Sequence, residues 1–344
     1  MEKKRICIFG AGSIGCYVGG RLAAAGCDVT LIGRKRIHEE IRGNGLRITD
    51  FCGTDMHVPP EGFRFETEAD AAADADLVIV TVKSAGTLEA GKTLAARLQT
   101  DAVVVSFQNG LGNTEWLRKA LPGRTVLAGV VQFNVLNRGL GNFHQGSEGR
   151  LEVEQHPDFA PFTPCFARAG LPVKQRKDIQ SVQWAKLLIN LNNPINALSN
   201  LPLKAQLSQR PFRQCFAMAQ KEALAILNAA HIRPARLTPL PANWIPGLLK
   251  APDGLFRMIA GKMLAIDPLA RSSMWEDLEA GRKTEIDYLN GEIVRMAKKL
   301  GRPAPVNARL MELIRDAEAG KNRIWTGEDL WNELVTARHR VSAM

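Results

Sequence analysis

The sequence has no apolar run long enough to cross a membrane. It also shows no secretory signal, because Met1 to Arg5 leads directly into a strand-like run without the longer apolar core and cleavage site that such a signal needs. We therefore expect a globular protein of the cytoplasm with no membrane partner. At 344 residues, the chain is long enough for two ordinary domains.

Cysteine is scarce and scattered in this sequence. No two cysteines form a Cys-x-x-Cys pair, and no group of histidines accompanies them, so no metal site is expected. Reduced, mostly buried thiols are the expected state. The six cysteines are Cys7, Cys16, Cys27, Cys52, Cys165 and Cys215.

Acidic residues are outnumbered by basic ones, 35 against 45, which gives a formal net charge of +10. Such an excess is typical of proteins that bind nucleic acid or anionic small molecules. The basic residues are spread along the chain and are not gathered in one block with interleaved aromatics. We therefore expect an anionic cofactor and substrate and no nucleic acid, which remains the less favoured alternative.

The first motif is a strand-like run, Arg5 to Phe9, that turns into a helical pattern through three glycines. The turn matches the dinucleotide-binding fingerprint, in which the first glycine permits a tight turn, the second lets the backbone approach a pyrophosphate and the third lets the helix pack close to the strand. The phosphates would bind free N–H groups at the helix N-terminus. The residues concerned are Gly10, Gly12, Ser13, Ile14 and Gly15.

The second predicted strand, Val29 to Gly33, has no acidic residue at its end and continues into Arg34, Lys35 and Arg36. An Asp or Glu at this position holds the ribose 2′-OH of NAD, whereas an arginine can bind the 2′-phosphate of NADP. The sequence therefore predicts NADP(H), with Arg34 as the first candidate ligand and its two neighbours nearby. A solvent-exposed basic turn is the alternative.

Two more polar residues follow buried strands: Lys83 after Asp76 to Val82, and Asn109 after Ala102 to Phe107. Ligands of doubly wound sheets bind beyond the carboxyl ends of the strands, so both residues could meet cofactor or substrate. A surface lysine and an ordinary Asn-Gly turn are the alternatives. The alternation of strands and helices predicts an α/β fold with an N-terminal Rossmann-type doubly wound parallel sheet, and a strand pair is expected over Asn142 to Val153.

From about residue 178 the pattern is helical, so we divide the chain into a Rossmann domain at 1–176 and an all-helical C-terminal domain at 177–344. Ile179 to Leu191 is an amphipathic helix. Thr284 and Asp287 resemble a capping box and predict a helix from Thr284 to Leu300, with Glu285 in its first turn. Val306 to Gly320 is expected to be the final helix, followed by a polar tail.

Three segments of the second half carry a resemblance to a known family. They are Lys186-Leu187-Leu188-Ile189-Asn190, Arg271-Ser272-Ser273-Met274 and Lys283-Thr284-Glu285-Ile286-Asp287-Tyr288-Leu289-Asn290-Gly291. Together with the glycine motif, the arginine after the second strand and the Gln-Asn-Gly-Leu-Gly turn, they make nearly the whole chain similar to the ketopantoate reductase family (2-dehydropantoate 2-reductases). The combination of Ser-Ser-Met with Thr-Glu-Ile-Asp is the specific part of the resemblance.

The resemblance implies a reaction and a set of roles. The family reduces the 2-keto group of ketopantoate with NADPH. By their match to the family, Lys186 would protonate the new alkoxide, and Glu285 would contact the substrate region and interact with that lysine. The match further implies substrate binding by Asn190 and Ser273, a place near the nicotinamide ribose for Asn109, and one at the cofactor–substrate edge for Lys83.

The residue types suit these roles. Hydride addition builds negative charge on the ketone oxygen, which an ammonium group stabilises and can protonate. Lys186 and Asn190 are four residues apart and so share one helix face. Without the resemblance, Lys186 would be interpreted as a surface lysine of an amphipathic helix and Glu285 as a carboxylate favoured by the helix dipole.

Two positions depart from the family pattern. A second asparagine is usual one turn after the first, where an ungapped alignment places Pro194, with Asn192 and Asn193 just before it; we take Asn193 as the substitute substrate ligand. An asparagine shortly before the Ser-Ser pair is replaced by Ala270. The segment from Leu237 to Ile266 is also longer and richer in proline than usual. These differences leave the cofactor site intact but put the identity of the 2-keto acid in question.

The sequence thus predicts an NADPH-dependent reductase that converts 2-dehydropantoate to pantoate in pantothenate biosynthesis, with Lys186 as general acid. One alternative is a reductase of a different 2-keto acid within the same family. Another is an NADP-binding regulator without catalysis, and a third is a β-hydroxyacid dehydrogenase that works in the oxidative direction. A homodimer is compatible with the sequence.

Overall fold

The computed structural model describes residues 4–259, 261 and 267–342. Its contacts divide the chain into two units, Met1–Ile179 and Gln180–Met344. The assignment of cofactor binding to 1–176 and of catalysis to 177–344 stays a prediction. The end of the proline-rich segment singled out above, at residues 260 and 262–266, lies outside the described residues.

The first unit alternates strands and helices. Its elements are β1 (Arg5–Phe9), α1 (Ser13–Ala24), β2 (Asp28–Ile32), α2 (Lys35–Arg42), β3 (Leu46–Asp50), β4 (Asp55–Val58), β5 (Arg64–Glu66), β6 (Leu77–Val80), α3 (Thr87–Ala95), β7 (Val103–Ser106), α4 (Asn113–Ala120), β8 (Val126–Val131), β9 (Val135–Asn137), β10 (Asn142–Gln145), β11 (Leu151–Glu154), α5 (Thr163–Arg168) and β12 (Val173–Arg176).

The main sheet has eight strands in the order β12-β11-β8-β7-β6-β1-β2-β5. From β5 to β8 all neighbours are parallel, in the 3-2-1-4-5-6 order of a Rossmann sheet, whereas β11 is antiparallel to β8. The strand order reverses between β1 and β6, which is where such sheets bind their ligands. The predicted Rossmann-type fold is therefore confirmed.

Both faces of this sheet are covered, which explains its nearly continuous apolar strands. Ile6 and Ile8 pack on one face with residues of α1 and α5 such as Leu22, whereas Cys7 points to the other face with Leu94 and Leu117 of α3 and α4. Each fully buried Leu or Ile side chain contributes about 1.5–3 kcal/mol. This packing fixes the carboxyl ends of β1, β6 and β7, where the predicted cofactor residues follow.

A second sheet of four strands has the order β4-β3-β10-β9. The two strands predicted over Asn142 to Val153 are present as β10 and β11, but their pairing with each other is wrong. β10 pairs with β3 and β9 in this small sheet, whereas β11 pairs with β8 and β12 in the large one. Gly149 lies between the two, with a φ of +153°. A Cβ there would come within 2.7 Å of the Phe133 backbone nitrogen, so only glycine fits where the chain passes between the sheets.

Helices joined by turns and loops make up the second unit, with no strand among its described residues. Its helices are α6 (Ile179–Asn190), α7 (Asn193–Ser199), α8 (Leu203–Leu207), α9 (Arg210–Ala229), α10 (Ile245–Leu249), α11 (Asp253–Ile259), α12 (Ser273–Glu279), α13 (Asn290–Lys299), α14 (Pro305–Glu318) and α15 (Gly327–Ser342). The predicted all-helical C-terminal domain is confirmed.

Two helix boundaries in this unit differ from prediction. The predicted capping box at Thr284 is wrong, since a 3-10 turn occupies Ile286–Tyr288 and α13 begins only at Asn290. Glu285 therefore precedes a 3-10 turn and is not in the first turn of a long helix. The polar tail expected after Gly320 is also wrong, because it contains α15.

Candidate active site

The turn after β1 contains two glycines that protein packing requires and one that it does not. A Cβ on Gly10 would lie 2.6 Å from the Val82 backbone nitrogen, and one on Gly15 would lie 2.3 Å from the Gly10 carbonyl oxygen, so protein packing alone requires both. A Cβ on Gly12 would meet nothing within 4 Å. The space beside Gly12 is thus open to a ligand, next to the first N–H groups of α1 at Ser13 and Ile14.

In the basic turn after β2, Arg34 differs from its neighbours Lys35 and Arg36 in its ion pairing. Lys35 and Arg36 lie within 3.9 and 3.7 Å of the Glu39 and Glu40 carboxylates, one helical turn further along α2. Arg34, the exposed residue that precedes α2, forms no ion pair within the described part of the chain. Its guanidinium is therefore the cation of this turn that is available to an anionic group.

A buried polar network joins the turn after β6 to the turn after β7. The Ser84 hydroxyl donates to the Asn109 carbonyl oxygen at 2.9 Å, and the Asn113 side chain donates to the same oxygen at 2.7 Å. The Gln108 side chain donates to the Val82 carbonyl oxygen at 3.0 Å. The network fixes the backbone that carries Asn109 and the exposed Lys83. Sequence reasoning missed its buried members Ser84, Gln108 and Asn113.

In the second unit, Lys186 and Asn190 lie one turn apart on α6. Lys186 is half-buried, and desolvation lowers its pKa to about 8. A pKa near the working pH suits a proton donor, because the group is still protonated at neutral pH and can release its proton. Asn190 is 7% exposed, a degree of burial that is unusual for an asparagine.

Of the two asparagines before Pro194, Asn192 has its side chain bonded to another side chain of the unit. The Asn192 and Gln206 side chains donate to each other at 3.0 and 3.1 Å in the interior of the unit. Asn193 is half-buried, and its carbonyl oxygen accepts from the Ser272 hydroxyl at 3.2 Å. Pro194 stands in the first turn of α7, where its missing N–H has no consequence. The Asn193 side chain is therefore better placed than that of Asn192 to meet a ligand.

The Ser-Ser motif is held next to this turn. The Ser272 hydroxyl caps α12 by accepting from the Trp275 N–H, and the Ser272 N–H donates to the buried Asn196 side chain at 2.8 Å. Ser273, half-buried, is the first residue of α12 and thus lies close to Asn193. Sequence reasoning missed Asn196, although its spacing of three from Asn193 places both on one side of α7.

Glu285 is 7% exposed, and its turn is held from α14. The Glu318 carboxylate accepts from the Thr284 N–H at 2.8 Å and from the Lys283 ammonium at 2.9 Å. Burial raises the pKa of Glu318, but these bonds and the Lys283 charge outweigh it, and the net pKa is lowered. Since α7 packs on α14 as well, the turn that carries Glu285 and the helix that starts at Asn193 share one support.

Comparison with known proteins decides the family. The family model described as "Ketopantoate reductase PanE/ApbA" matches residues 6–158, and that described as "Ketopantoate reductase PanE/ApbA C terminal" matches residues 178–318. The chain belongs to the ketopantoate reductase family. The resemblance inferred from the sequence motifs is thereby confirmed.

Individual relatives and solved structures match most of this chain. A 2-dehydropantoate 2-reductase of Pyrococcus horikoshii is 31% identical over 92% of this chain and 98% of its own. The crystal structure of a PanE/ApbA family ketopantoate reductase from Ralstonia eutropha JMP134 is 31% identical, with a TM-score of 0.77 over 92% of this chain and 99% of its own. A D-mandelate dehydrogenase solved with NADH and anilino(oxo)acetate shares the fold at 21% identity, with a TM-score of 0.75 over 92% of this chain and 99% of its own.

Neither a membrane-spanning helix nor a metal-binding group of side chains occurs among the residues that the structure describes. None of the helices described within 4–342 is long and apolar enough to span a membrane. Among the same described residues, no group of three or more His, Cys, Asp or Glu side chains could hold a metal ion.

Proposed function

We propose that this protein is an NADPH-dependent 2-keto acid reductase, with 2-dehydropantoate as its first substrate and pantoate as its product. The observation that carries the proposal is the half-buried Lys186, whose pKa is lowered to about 8 one helical turn from the buried Asn190. Membership of the ketopantoate reductase family supports the same reaction.

The reaction needs a proton donor and a means of orienting the keto acid. When bound, the reduced nicotinamide supplies the hydride. The Lys186 ammonium stabilises the charge that grows on the ketone oxygen and transfers its Nζ proton to the alkoxide, leaving a neutral amine that solvent reprotonates. Glu285 orients this lysine and the substrate, and the side chains of Asn190, Asn193 and Ser273 hold the carboxylate end and the tail.

NADP(H) is the proposed cofactor. Gly12 leaves room for the pyrophosphate, and the first N–H groups of α1, at Ser13, Ile14 and Gly15, would bind it. Arg34 would bind the 2′-phosphate, since it has no competing carboxylate among the described residues, whereas Lys35 and Arg36 each have one. Lys83 and Asn109 would meet the nicotinamide end.

A different 2-keto acid is a second candidate substrate, and a specific observation favours it. Pro194 is buried and Ala270 is fully buried, at positions where the family resemblance leads us to expect asparagine side chains. Neither residue offers a side-chain donor, so a substrate tail with hydroxyl groups gains fewer hydrogen bonds here. An apolar branched or aromatic tail would suffer no such loss.

The test is NADPH oxidation by the purified protein with 2-dehydropantoate and a panel of 2-keto acids with branched, linear and aromatic tails. We expect turnover with at least one of them and a preference for NADPH over NADH. Turnover of another keto acid but not of 2-dehydropantoate would overturn the substrate and keep the class. Cofactor binding without any turnover would support a regulator in place of an enzyme.

A further inference from the structure

The helix that carries Lys186 and Asn190 ends in a break that releases one of its carbonyl groups. In a continuous α-helix, the Leu188 carbonyl oxygen would accept from the Asn192 N–H. Here the Asn192 N–H donates to Ile189 at 3.2 Å, ahead of the break at Pro194. The Leu188 carbonyl oxygen instead accepts from the Gln220 side chain of α9 at 3.0 Å. This bond therefore fixes the end of α6 midway between its two functional residues.

Gln220 is suited to this task. It is 2% exposed, so its hydrogen bond to Leu188 is sheltered from water. Its side-chain oxygen has no hydrogen-bond partner within the part of the chain that the structure describes. A substitution that keeps the volume but removes the amide would thus delete one hydrogen bond among these residues, the one to α6.

A second element crosses α6 beside this bond. We call residues 235–245 the strap. Its Ala235 N–H donates to the Ser181 carbonyl oxygen, in the first turn of α6, at 2.9 Å. Further on, Leu237 and Leu240 border a small pocket that α6 and Gln220 also line. The α6 residues in that lining are Ala185, Leu188 and Ile189, which form one stripe of the helix next to Lys186.

The strap is held in shape by hydrogen bonds within it, and the helix that follows it is bonded to α9. The Arg236 guanidinium donates to the Thr238 and Pro239 carbonyl oxygens, and the Thr238 hydroxyl donates to the Leu240 carbonyl oxygen at 2.8 Å. Beyond the strap, the fully buried Arg213 of α9 donates to the carbonyl oxygens of Leu249 at 3.1 Å and Ala251 at 2.8 Å. The strap is therefore fixed to α6 at its start, and the end of α10, the helix that follows the strap, is tied through Arg213 to α9, the helix of Gln220.

We propose that Gln220 and the strap form a clamp on α6, and that Gln220 and Leu240 are positioning residues for Lys186 and Asn190. The start of the proline-rich segment, from Leu237 to Ile245, is thereby a support for the catalytic helix. The clamp acts on the geometry of the chemical step and leaves cofactor binding to the first unit. This inference rests on the proposed reductase function, so its test includes a readout that needs no turnover.

The experiment compares Gln220→Met, Leu240→Ala and the conservative Leu240→Met with the unmodified chain. Asn243→Ala is the matched control, because Asn243 is an exposed strap residue outside the pocket lining. Steady-state kinetics give kcat and the KM for NADPH, and amide hydrogen exchange measured by mass spectrometry reports on the peptide that covers residues 185–193. Leu240 is only half-buried, so its alanine variant keeps the test available if Gln220→Met does not fold.

We expect Gln220→Met and Leu240→Ala to lower kcat about 10-fold or more, since small displacements of catalytic groups are costly, with the KM for NADPH within about 2-fold. Exchange in 185–193 should accelerate in both, and Leu240→Met and Asn243→Ala should resemble the unmodified chain. Unchanged kcat in both clamp variants would overturn the proposal. If the unmodified chain reduces no 2-keto acid, the proposed function fails by itself. Hydrogen exchange then decides the clamp, which unchanged exchange in 185–193 would refute.

Discussion

The lowered pKa of Lys186 leads to a quantitative prediction of how kcat depends on pH. If this ammonium is the general acid, the rate of keto acid reduction follows its protonated fraction. With a pKa of about 8, that fraction is about nine-tenths at pH 7 and about one-tenth at pH 9. Reductive kcat should therefore be nearly level below pH 7, fall about 5-fold from pH 8 to pH 9 and fall about 10-fold from pH 9 to pH 10. The reverse reaction, which needs the neutral amine, should rise over the same interval.

The assay is NADPH oxidation at saturating cofactor and keto acid from pH 6 to pH 10, with Lys186→Arg as the diagnostic variant. An arginine stays protonated throughout this range, so any residual activity of the variant should lose the fall near pH 8. Lys186→Met should lower kcat by a factor of about 10²–10⁴, the range typical of general acids. A wild-type profile that is level from pH 7 to pH 10, or the same fall in Lys186→Arg, would refute the assignment.

Three further predictions concern the cofactor turn and the helical unit. Gly12→Ala should fold with normal stability but bind NADPH at least about 10-fold more weakly. Gly15→Ala should instead lower the free energy of unfolding by about 1–3 kcal/mol, because its Cβ would clash with backbone. Cofactor titration measures the first effect and calorimetry the second. Arg34→Ala should raise the KM for NADPH about 10- to 100-fold with little effect on NADH, and Arg36→Ala, which removes a side chain already near Glu40, should do much less; equal effects on both cofactors would contradict this. Glu222→Leu should destabilise the protein by about 1–3 kcal/mol in denaturant unfolding, since the Glu222 carboxylate accepts from the first N–H groups of α14 at 2.9 and 3.0 Å.

The fold of the first unit could be predicted in large part because its signals are local. The apolar strand, the glycine turn and the helix after it are contiguous, and Gly10 and Gly15 each have a steric cause close by. The pairing of β10 and β11 could not be predicted, because two neighbouring strands give no local sign that they belong to different sheets. The buried network around Gln108 and Asn113 was missed for a similar reason, since it joins residues that follow different strands.

Two predictions for the helical unit were wrong for different reasons. At Thr284 the local capping pattern was overridden from a distance, because the Glu318 carboxylate takes the Thr284 N–H and the helix starts later. The final helix α15, by contrast, had a readable signal. The Thr326 hydroxyl donates to the Asp329 carboxylate at 2.6 Å and accepts from the Asp329 N–H at 3.1 Å, an N-cap interaction just before the fully buried Leu330. The segment after Gly320 has many charged residues, and the prediction of a polar tail overlooked this signal.

The most direct test of the central claim is a product analysis after incubation of the purified protein with NADPH and 2-dehydropantoate, with Lys186→Met as control. We expect one pantoate to form for each NADPH oxidised by the unmodified chain, and the rate to be lower by a factor of about 10² or more in the variant. Formation of pantoate at equal rates by both would contradict the role of Lys186. NADPH bound but never oxidised by any 2-keto acid would contradict the reductase function itself.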